Sequence, residues 1–127
     1  QLLESIKNPV NLAYSLIYKS EIIGYLIAMP VIESADILNI AIDSSYQRKG
    51  FGKALLKHLI QALNKRGISE VLLEVRQSNV SAIQFYLALG FKEISIRKNY
   101  YTKNSNEPSV KEDGIIMRLE ISTTKNT

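Results

Sequence analysis

Two short apolar strands separated by an amphipathic helix constrain the fold of this chain more than any other feature. Residues 36–42 (DILNIAI) and 70–76 (EVLLEVR) are short apolar runs of the kind that form strands. Between them, residues 50–66 carry apolar side chains at helical spacing, with lysines on the opposite face. Strands joined by a crossover helix lie parallel in one sheet. The sequence therefore predicts an α/β fold with at least one parallel crossover.

The segments on either side of this crossover predict further strands and a second helix. A hairpin is predicted over residues 13–29, with Gly24 marking a bulge or a close backbone approach. Because hairpin strands are antiparallel, the whole sheet is expected to be mixed. Residues 1–8 predict the end of a helix that Pro9 terminates. The remaining predictions are a helix over 79–89, strands over 91–97 and 114–121, a polar loop over 99–113, and a flexible tail over 122–127 that follows a single domain of residues 1–121.

The composition narrows the chemistry, because the 127 residues include no cysteine and one histidine. Disulfide frameworks, thiolate zinc sites, a cysteine nucleophile and multi-histidine metal centres are excluded, and no metal is expected. A net charge of +4 and a pI near 9.3 suit an anionic small molecule or a nucleic acid. No apolar run approaches the roughly 18 residues of a membrane span, and no signal-peptide pattern opens the chain. A cytoplasmic location is therefore expected.

A glycine-containing loop precedes the predicted helix over 50–66. It reads Gln47, Arg48, Lys49, Gly50, Phe51, Gly52, Lys53. Glycines let a backbone turn tightly and approach a ligand, and the first amides of a helix have no partners within it, so a phosphate is a natural guest. A plain strand-to-helix turn is the alternative. The loop is not a Walker loop, because the pattern GxxxxGK[ST] does not occur, and it is a poor dinucleotide fingerprint, because the third glycine is absent.

Glu74 is a carboxylate inside the apolar strand predicted over 70–76. By the two-residue period it shares a face with Leu72, opposite Leu73 and Val75. In an apolar cleft such a carboxylate is a candidate general base. Alternatively, this face meets solvent at a sheet edge, or Arg76 pairs with Glu74 on the same face.

The predicted helix over 79–89 places Asn79 and Tyr86 on one face, about 10 Å apart along its axis. An amide and a phenol so placed can line an extended ligand. They also fit a helix cap and a core tyrosine with its hydroxyl at the rim. His58 is expected to be structural. Tyr100 and Tyr101, which follow Arg97 and Lys98, fit a nucleic-acid patch or a substrate-facing loop. The lysines of the helix predicted over 50–66 fit a solvated face.

Three segments together resemble one enzyme family. The family's phosphate loop has Arg or Gln, two residues, Gly, one residue, then Gly or Ala, and Gln47, Gly50 and Gly52 meet this pattern. The segments are NIAIDSSYQRKGFGKALL (39–56), LEVRQSNVSAIQFYLALGF (73–91) and RKNYY (97–101). They are similar to the GNAT superfamily of acetyl-CoA-dependent N-acetyltransferases, and the resemblance extends over about residues 1–121.

The resemblance implies a role for each matched position. The backbone of Ile40, Ala41 and Ile42 would contact the acetyl-pantetheine arm of acetyl-CoA, and Asn79 would contact the cosubstrate further along. Glu74 matches the general base and Tyr86 the general acid. The pyrophosphate would lie against the main-chain amides of Arg48, Lys49, Gly50, Phe51, Gly52 and Lys53.

The resemblance also implies direct acetyl transfer to a protein amino terminus. The three segments are similar to members that acetylate the N-terminal alanine of small-subunit ribosomal protein eighteen, and neither nucleic acid nor membrane is expected as a direct partner. An α-amine, with a pKa of about 7.7–8.0, is easier to deprotonate than lysine at about 10.4. A small-amine or lysine acetyltransferase and a CoA-binding module without turnover are the alternatives. Family members carry about one strand and one helix ahead of the position of Gln1, so those elements are expected to be missing.

Overall fold

A computed structural model describes residues 2–4, 11–102 and 111–121 of the chain. These residues form two compact units, the first up to Val71 together with Ile121 and the second Leu72–Glu120. The elements in chain order are β1 (Leu2–Glu4), β2 (Leu12–Tyr18), β3 (Glu21–Val31), β4 (Ser34–Ile42), a 3-10 turn (Ser44–Tyr46), α1 (Phe51–Lys65), β5 (Glu70–Arg76), α2 (Val80–Ala88), β6 (Lys92–Thr102) and β7 (Lys111–Glu120).

The first unit is an antiparallel meander covered by one helix. Strands β1 to β4 are neighbours in chain order, and each pairs antiparallel with the next. Helix α1 packs against β3 and β4. The predicted hairpin over 13–29 is confirmed. The buried side chains that join sheet and helix include Leu12, Leu26, Ala28, Leu55, Leu56, Leu59 and Leu63.

Gly24 lies where the first unit brings two backbones closest together. A Cβ atom at this position would lie 2.9 Å from the carbonyl oxygen of Ala41 on β4. The ladder between β2 and β3 is also irregular at the same level, between Leu16 and Ile17. Both features predicted for this glycine, a close approach and a bulge, are therefore present.

Helix α1 begins and ends at glycines in the left-handed region. Gly50 precedes the first helical residue with φ of 88°, and Gly67 follows the last turn with φ of 74°. Glycine adopts such angles without the strain that a Cβ atom imposes. The helix predicted over 50–66 is confirmed to within a residue at each end.

The second unit places β7 between β5 and β6, so the order of strands is β5-β7-β6. Strands β6 and β7 pair antiparallel. Helix α2 begins after Asn79, whose side chain accepts a hydrogen bond from the amide of Ala82, as predicted for a helix cap. The buried core of this unit includes Leu73, Val75, Tyr86, Phe91, Ile115 and Met117.

Two predictions made from the sequence are wrong. Residues 2–4 form a strand paired with β2 and not the tail of a helix. The apolar spacing over 1–8 covers only about two helical turns, which is too short to outweigh strand pairing; Pro9 lies outside the described residues. The polar loop over 99–113 is also shorter than predicted, because β6 continues to Thr102 and β7 starts at Lys111. Residues 103–110 and 122–127 lie outside the described residues.

Within the described part of the chain, no helix is long and apolar enough to cross a membrane.

Candidate active site

The loop between β4 and α1 has the backbone shape that an anion requires. Arg48 and Gly50 both adopt left-handed conformations, with φ of 63° and 88°. The side-chain nitrogen Nε2 of Gln47 donates to the carbonyl oxygen of Ile42 at 2.9 Å, which ties the loop to the end of β4. The space where a Cβ of Gly50 would point holds no atom within 4 Å. A ligand group can therefore approach this backbone closely.

The amides at the start of α1 precede the helical hydrogen-bond ladder. Its first bond is donated by the amide of Ala54 to the carbonyl oxygen of Gly50, at 3.0 Å. The preceding amides, those of Phe51, Gly52 and Lys53, lie at the positive end of the helix dipole. Together with the cationic side chains of Arg48 and Lys49, they suit a phosphate group.

The end of β4 offers half-buried backbone beside this loop. Ile40, Ala41 and Ile42 pair along one edge with Leu26, Tyr25 and Gly24 of β3. All three are half-buried. The amide of Asp43 donates to the carbonyl oxygen of Ile23 at 2.7 Å, which ends the pairing of β4 with β3.

An aromatic cluster that the sequence did not predict lies next to the loop. The rings of Tyr18, Tyr46 and Phe51 have centroids 5.1 to 5.9 Å apart. With Lys19 and Lys49 they line an open cleft of about 510 Å³. The side chain of Phe51 thus packs in this cluster. No spacing in the sequence points to the cluster, because Tyr18 is at a hairpin turn far from the loop in the chain.

Glu74 is held by an arginine from another strand. Its Oε1 lies 3.3 Å from Nη2 of Arg97, and its side chain is 21% exposed. Its other oxygen, Oε2, is buried and has no hydrogen-bond partner among the described residues. Both structural alternatives for Glu74 are wrong. Its carboxylate does not lie at an open sheet edge, because the neighbouring strand β7 lies beside β5. It does not pair with Arg76, because Arg76 pairs with Glu112.

Gly114 makes room for the carboxylate of Glu74. A Cβ atom at this position would collide with Glu74 Oε2 and lie 3.0 Å from Cε2 of Tyr101. The neighbouring carboxylate affects Tyr101 in turn. Burial first, then the negative charge of Glu74 and hydrogen bonding to its carboxylate, raise the pKa of the Tyr101 phenol. Tyr100 and Tyr101 belong to β6, so the expectation that they form a loop is wrong.

A second ion pair fixes the turn that leads into α2. Glu112 is 5% exposed and accepts a hydrogen bond from the amide of Ser78 at 2.9 Å. Arg76 lies 3.5 Å from Glu112 Oε2 and donates to the carbonyl oxygen of Thr102 at 3.1 Å. Hydrogen bonds from Ser78, followed by the contact with Arg76, lower the pKa of Glu112. The carboxylate is therefore charged, and each of its two oxygens has a partner within the fold.

Asn79 and Tyr86 lie at opposite ends of α2. The Oδ1 of Asn79 accepts from the amide of Ala82 at 3.3 Å, in an exposed position. Tyr86 is 7% exposed, with its ring against Phe85 and Phe91 at 5.3 and 5.4 Å. Burial raises the pKa of Tyr86, so its phenol keeps the proton that a general acid must donate.

His58 has no part in these clusters. The ring of His58 packs edge-on against Tyr14, with centroids 4.8 Å apart. Among residues 2–4, 11–102 and 111–121, no three acidic, histidine or cysteine side chains are grouped so as to hold a metal ion.

Comparison with known proteins identifies the family of this chain. Residues 3–91 match the model of the acetyltransferase (GNAT) family. The [ribosomal protein bS18]-alanine N-acetyltransferase of Escherichia coli K12 is 45% identical over 111 residues, which is 87% of this chain and 72% of that protein. The enzyme of the same name from Haemophilus influenzae is 45% identical over 102 residues, or 80% of this chain and 67% of its own length.

Similar solved structures are also acetyltransferases of this family. The crystal structure of the Escherichia coli ribosomal-protein-S18-alanine N-acetyltransferase has a TM-score of 0.83 and 41% identity, covering 95% of this chain and 76% of that one. A GNAT acetyltransferase from Elizabethkingia anophelis, solved with acetyl-CoA bound, has a TM-score of 0.77 and 28% identity, covering 88% and 77%. The predicted fold class, a mixed sheet with flanking helices, is confirmed, as is the narrower resemblance to the ribosomal-protein-S18-alanine N-acetyltransferases, the RimI enzymes. The chain belongs to the GNAT family of acetyltransferases.

Proposed function

We propose that this acetyltransferase acts on the amino terminus of a protein, and specifically on the N-terminal alanine of ribosomal protein bS18. The observation that carries the proposal is the carboxylate of Glu74, which has one oxygen held by Arg97 and one buried oxygen without a donor. An α-ammonium group supplies the missing donor and the proton to be removed. The relatives named for bS18-alanine acetylation share 45% of their matched residues with this chain.

The residues present fit acetyl-CoA as the cosubstrate. The left-handed turn at Arg48 and Gly50, and the amides of Phe51, Gly52 and Lys53, suit its pyrophosphate. Gln47 supports this turn through its hydrogen bond to Ile42. The family resemblance implies that the backbone of Ile40, Ala41 and Ile42 would bind the pantetheine arm, and that the side chain of Asn79 would contact a further part of the cosubstrate.

The reaction requires one residue of the protein to accept a proton and another to donate one. Glu74 accepts a proton from the α-ammonium, and the resulting amine attacks the carbonyl carbon of the thioester. The carbon–sulfur bond then breaks, and Tyr86 donates its phenolic proton to the departing thiolate. The second proton that the nitrogen loses as the amide forms returns to Tyr86 through solvent. Because the chain contains no cysteine, the acetyl group passes directly to nitrogen without a thioester on the protein.

The amine's acidity favours this acceptor. A protein α-amine has a pKa of about 7.7–8.0, whereas a lysine side chain is near 10.4. A single carboxylate can therefore neutralise the α-amine at neutral pH with a smaller energetic penalty. To deprotonate lysine, the same base would have to overcome a pKa that is higher by about 2.5.

An acceptor panel tests the proposal directly. Three acceptors are compared at saturating acetyl-CoA: a peptide that begins with alanine and carries the bS18 sequence, the same peptide with its α-amine blocked and an internal lysine, and a free small amine. CoA release and mass spectrometry measure the rate and the position of acetylation. The proposal expects the alanine amino terminus to react fastest. Faster acetylation of the lysine or of the small amine would contradict it.

A further inference from the structure

A glutamate and an arginine meet across an intervening strand in the second unit. Glu74 is on β5 and Arg97 on β6, with β7 between them. Neighbouring strands are about 4.8 Å apart, so the two backbones are separated by about 10 Å. The residue of β7 in register with Arg97 is Gly114. Because Gly114 has no side chain, the two charged side chains can reach each other over it.

The backbone of β6 is irregular immediately after Arg97. The pairing of β6 with β7 moves from Arg97 opposite Gly114 to Tyr101 opposite Glu112, so β6 contains two extra residues. Within this bulge Asn99 is left-handed, with φ of 50°, and its amide donates to Oδ1 of Asp113 at 2.9 Å.

The same bulge places Tyr100 on the arginine. The ring of Tyr100 lies 4.3 Å from the guanidinium carbon of Arg97. Arg97 is thus held between an aromatic ring and a carboxylate, although its side chain is 48% exposed. Bulges of this kind often redirect a side chain next to a functional site.

The two carboxylate oxygens of Glu74 have different surroundings. Arg97 contacts Oε1, whereas Oε2 is the buried oxygen without a donor. We propose that Arg97 is a positioning residue, which fixes the carboxylate of Glu74 so that Oε2 receives the acceptor ammonium and its proton. This inference rests on the proposed function of Glu74 as the general base.

A purely structural ion pair is the competing explanation. Partly exposed pairs contribute little to stability, and their loss should not affect the rate of a folded enzyme. A misplaced base, in contrast, reduces the rate without unfolding the protein, because misplacement by about 1 Å can cost about 100-fold. Rate and stability therefore separate the two explanations.

The experiment compares Arg97→Gln and Arg97→Lys with Arg118→Ala as a matched control. Arg118 is also an arginine of the second unit in an ion pair, with Glu120 at 2.9 Å. For each variant we would measure kcat and KM for the alanine peptide, Kd for acetyl-CoA, and Tm. All rates are taken at a temperature where circular dichroism shows the folded state.

We expect kcat of Arg97→Gln to fall about 10- to 100-fold, with Kd for acetyl-CoA within about twofold of the wild type. Arg97→Lys keeps the charge but not the planar, stacked group, so its loss should be smaller. Guanidinium ions at non-denaturing concentration should restore part of the rate of Arg97→Gln. They should not rescue Glu74→Gln.

Gly114→Ala tests the same geometry with Arg97 intact. The added methyl group displaces the carboxylate from the position over β7, so kcat should again fall about 10-fold or more at unchanged affinity for acetyl-CoA. A normal kcat in Arg97→Gln, or a Tm loss with no rate loss, would overturn the role of Arg97 while leaving the proposed function intact. A wild-type chain that acetylates no amino terminus would overturn the proposed function and this inference with it.

Discussion

Two of the arginine–glutamate pairs in the second unit, Arg76–Glu112 and Arg97–Glu74, differ in how completely their carboxylates are hydrogen-bonded. Glu112 accepts from the amide of Ser78 and pairs with Arg76, which itself donates to a backbone carbonyl. Glu74 pairs with Arg97 through one oxygen, and its other oxygen is buried without a donor. Most buried polar groups in folded proteins have a hydrogen-bond partner, so the buried oxygen of Glu74 requires an explanation, and a role in catalysis supplies one.

The two pairs are otherwise closely matched. Each arginine stacks on a tyrosine of β6, Arg76 on Tyr101 at 4.5 Å and Arg97 on Tyr100 at 4.3 Å. Stacking and charge alone therefore do not distinguish the structural pair from the functional one. The distinction lies in the free oxygen of Glu74 and in the missing side chain at Gly114.

The largest effect is expected from a change that leaves both pairs untouched. In Gly50→Val, a branched side chain enters the open space beside the loop and strains a left-handed position, so binding of acetyl-CoA should be lost. Gly67→Val is the matched control, because Gly67 is also left-handed with open space around it but lies at the other end of α1. Calorimetry should find affinity only in the control. Unchanged affinity in a folded Gly50→Val variant would contradict the assignment of the phosphate loop.

The next effect concerns the functional pair. Glu74→Gln keeps the shape of the side chain but cannot accept a proton, so the rate at neutral pH should fall about 100-fold or more. The loss should shrink as the pH rises above about 8, where the α-amine deprotonates unaided. Glu93→Gln, at an exposed position of β6, controls for the change in net charge. A loss that is constant across the titration of the amine would point to positioning and away from proton transfer.

Loss of the structural pair, Arg76–Glu112, should lower the stability of the protein. The pKa of Glu112 is lowered in the folded state, so its contribution to stability is present above about pH 4.5 and is lost as the pH falls below that value. Glu112→Gln should lower Tm at neutral pH and make Tm less dependent on pH in the acid range. Glu120→Gln, whose pair with Arg118 is exposed, should change the neutral Tm little. An unchanged Tm in Glu112→Gln would contradict the structural role.

The smallest effect is expected at Tyr86. Tyr86→Phe removes only a hydroxyl, so packing and affinity for acetyl-CoA should hardly change. Turnover should fall several-fold only, because a thiol with a pKa near 8.5 is already a tolerable leaving group. Rates, Kd and Tm measured on one preparation separate this role from that of a core tyrosine. A lowered Tm with an unchanged rate would refute the role as acid.

The elements that local periodicity determines could be predicted from the sequence. The bounds of β5 match the prediction, and α1 and α2 differ from it by a residue at the ends. Each has a regular apolar spacing and, for the helices, a glycine or asparagine at the end. The cap at Asn79 and the close approach at Gly24 follow from the same local chemistry.

The partners of the site residues could not be predicted in this way. Arg97 follows Glu74 by 23 positions, and nothing in their local spacing shows that Gly114 lets them meet across β7. The strand at Leu2–Glu4 and the extension of β6 to Thr102 depend on pairing with distant strands. Residues 99–102 at the end of β6 were predicted to belong to a loop, because an exposed strand lacks the apolar alternation that identifies a half-buried one.

The most direct test of this account measures acetylation rate and Tm on the same preparations of Glu74→Gln and Glu112→Gln. Both substitutions remove one negative charge from the same unit and keep the shape of the side chain. We expect opposite results: Glu74→Gln loses its rate and keeps its Tm, whereas Glu112→Gln loses Tm and keeps its rate within about threefold when folded. Equal losses of rate in the two variants, or a normal rate in Glu74→Gln, would contradict the claim that the carboxylate with the free oxygen is the one used in catalysis.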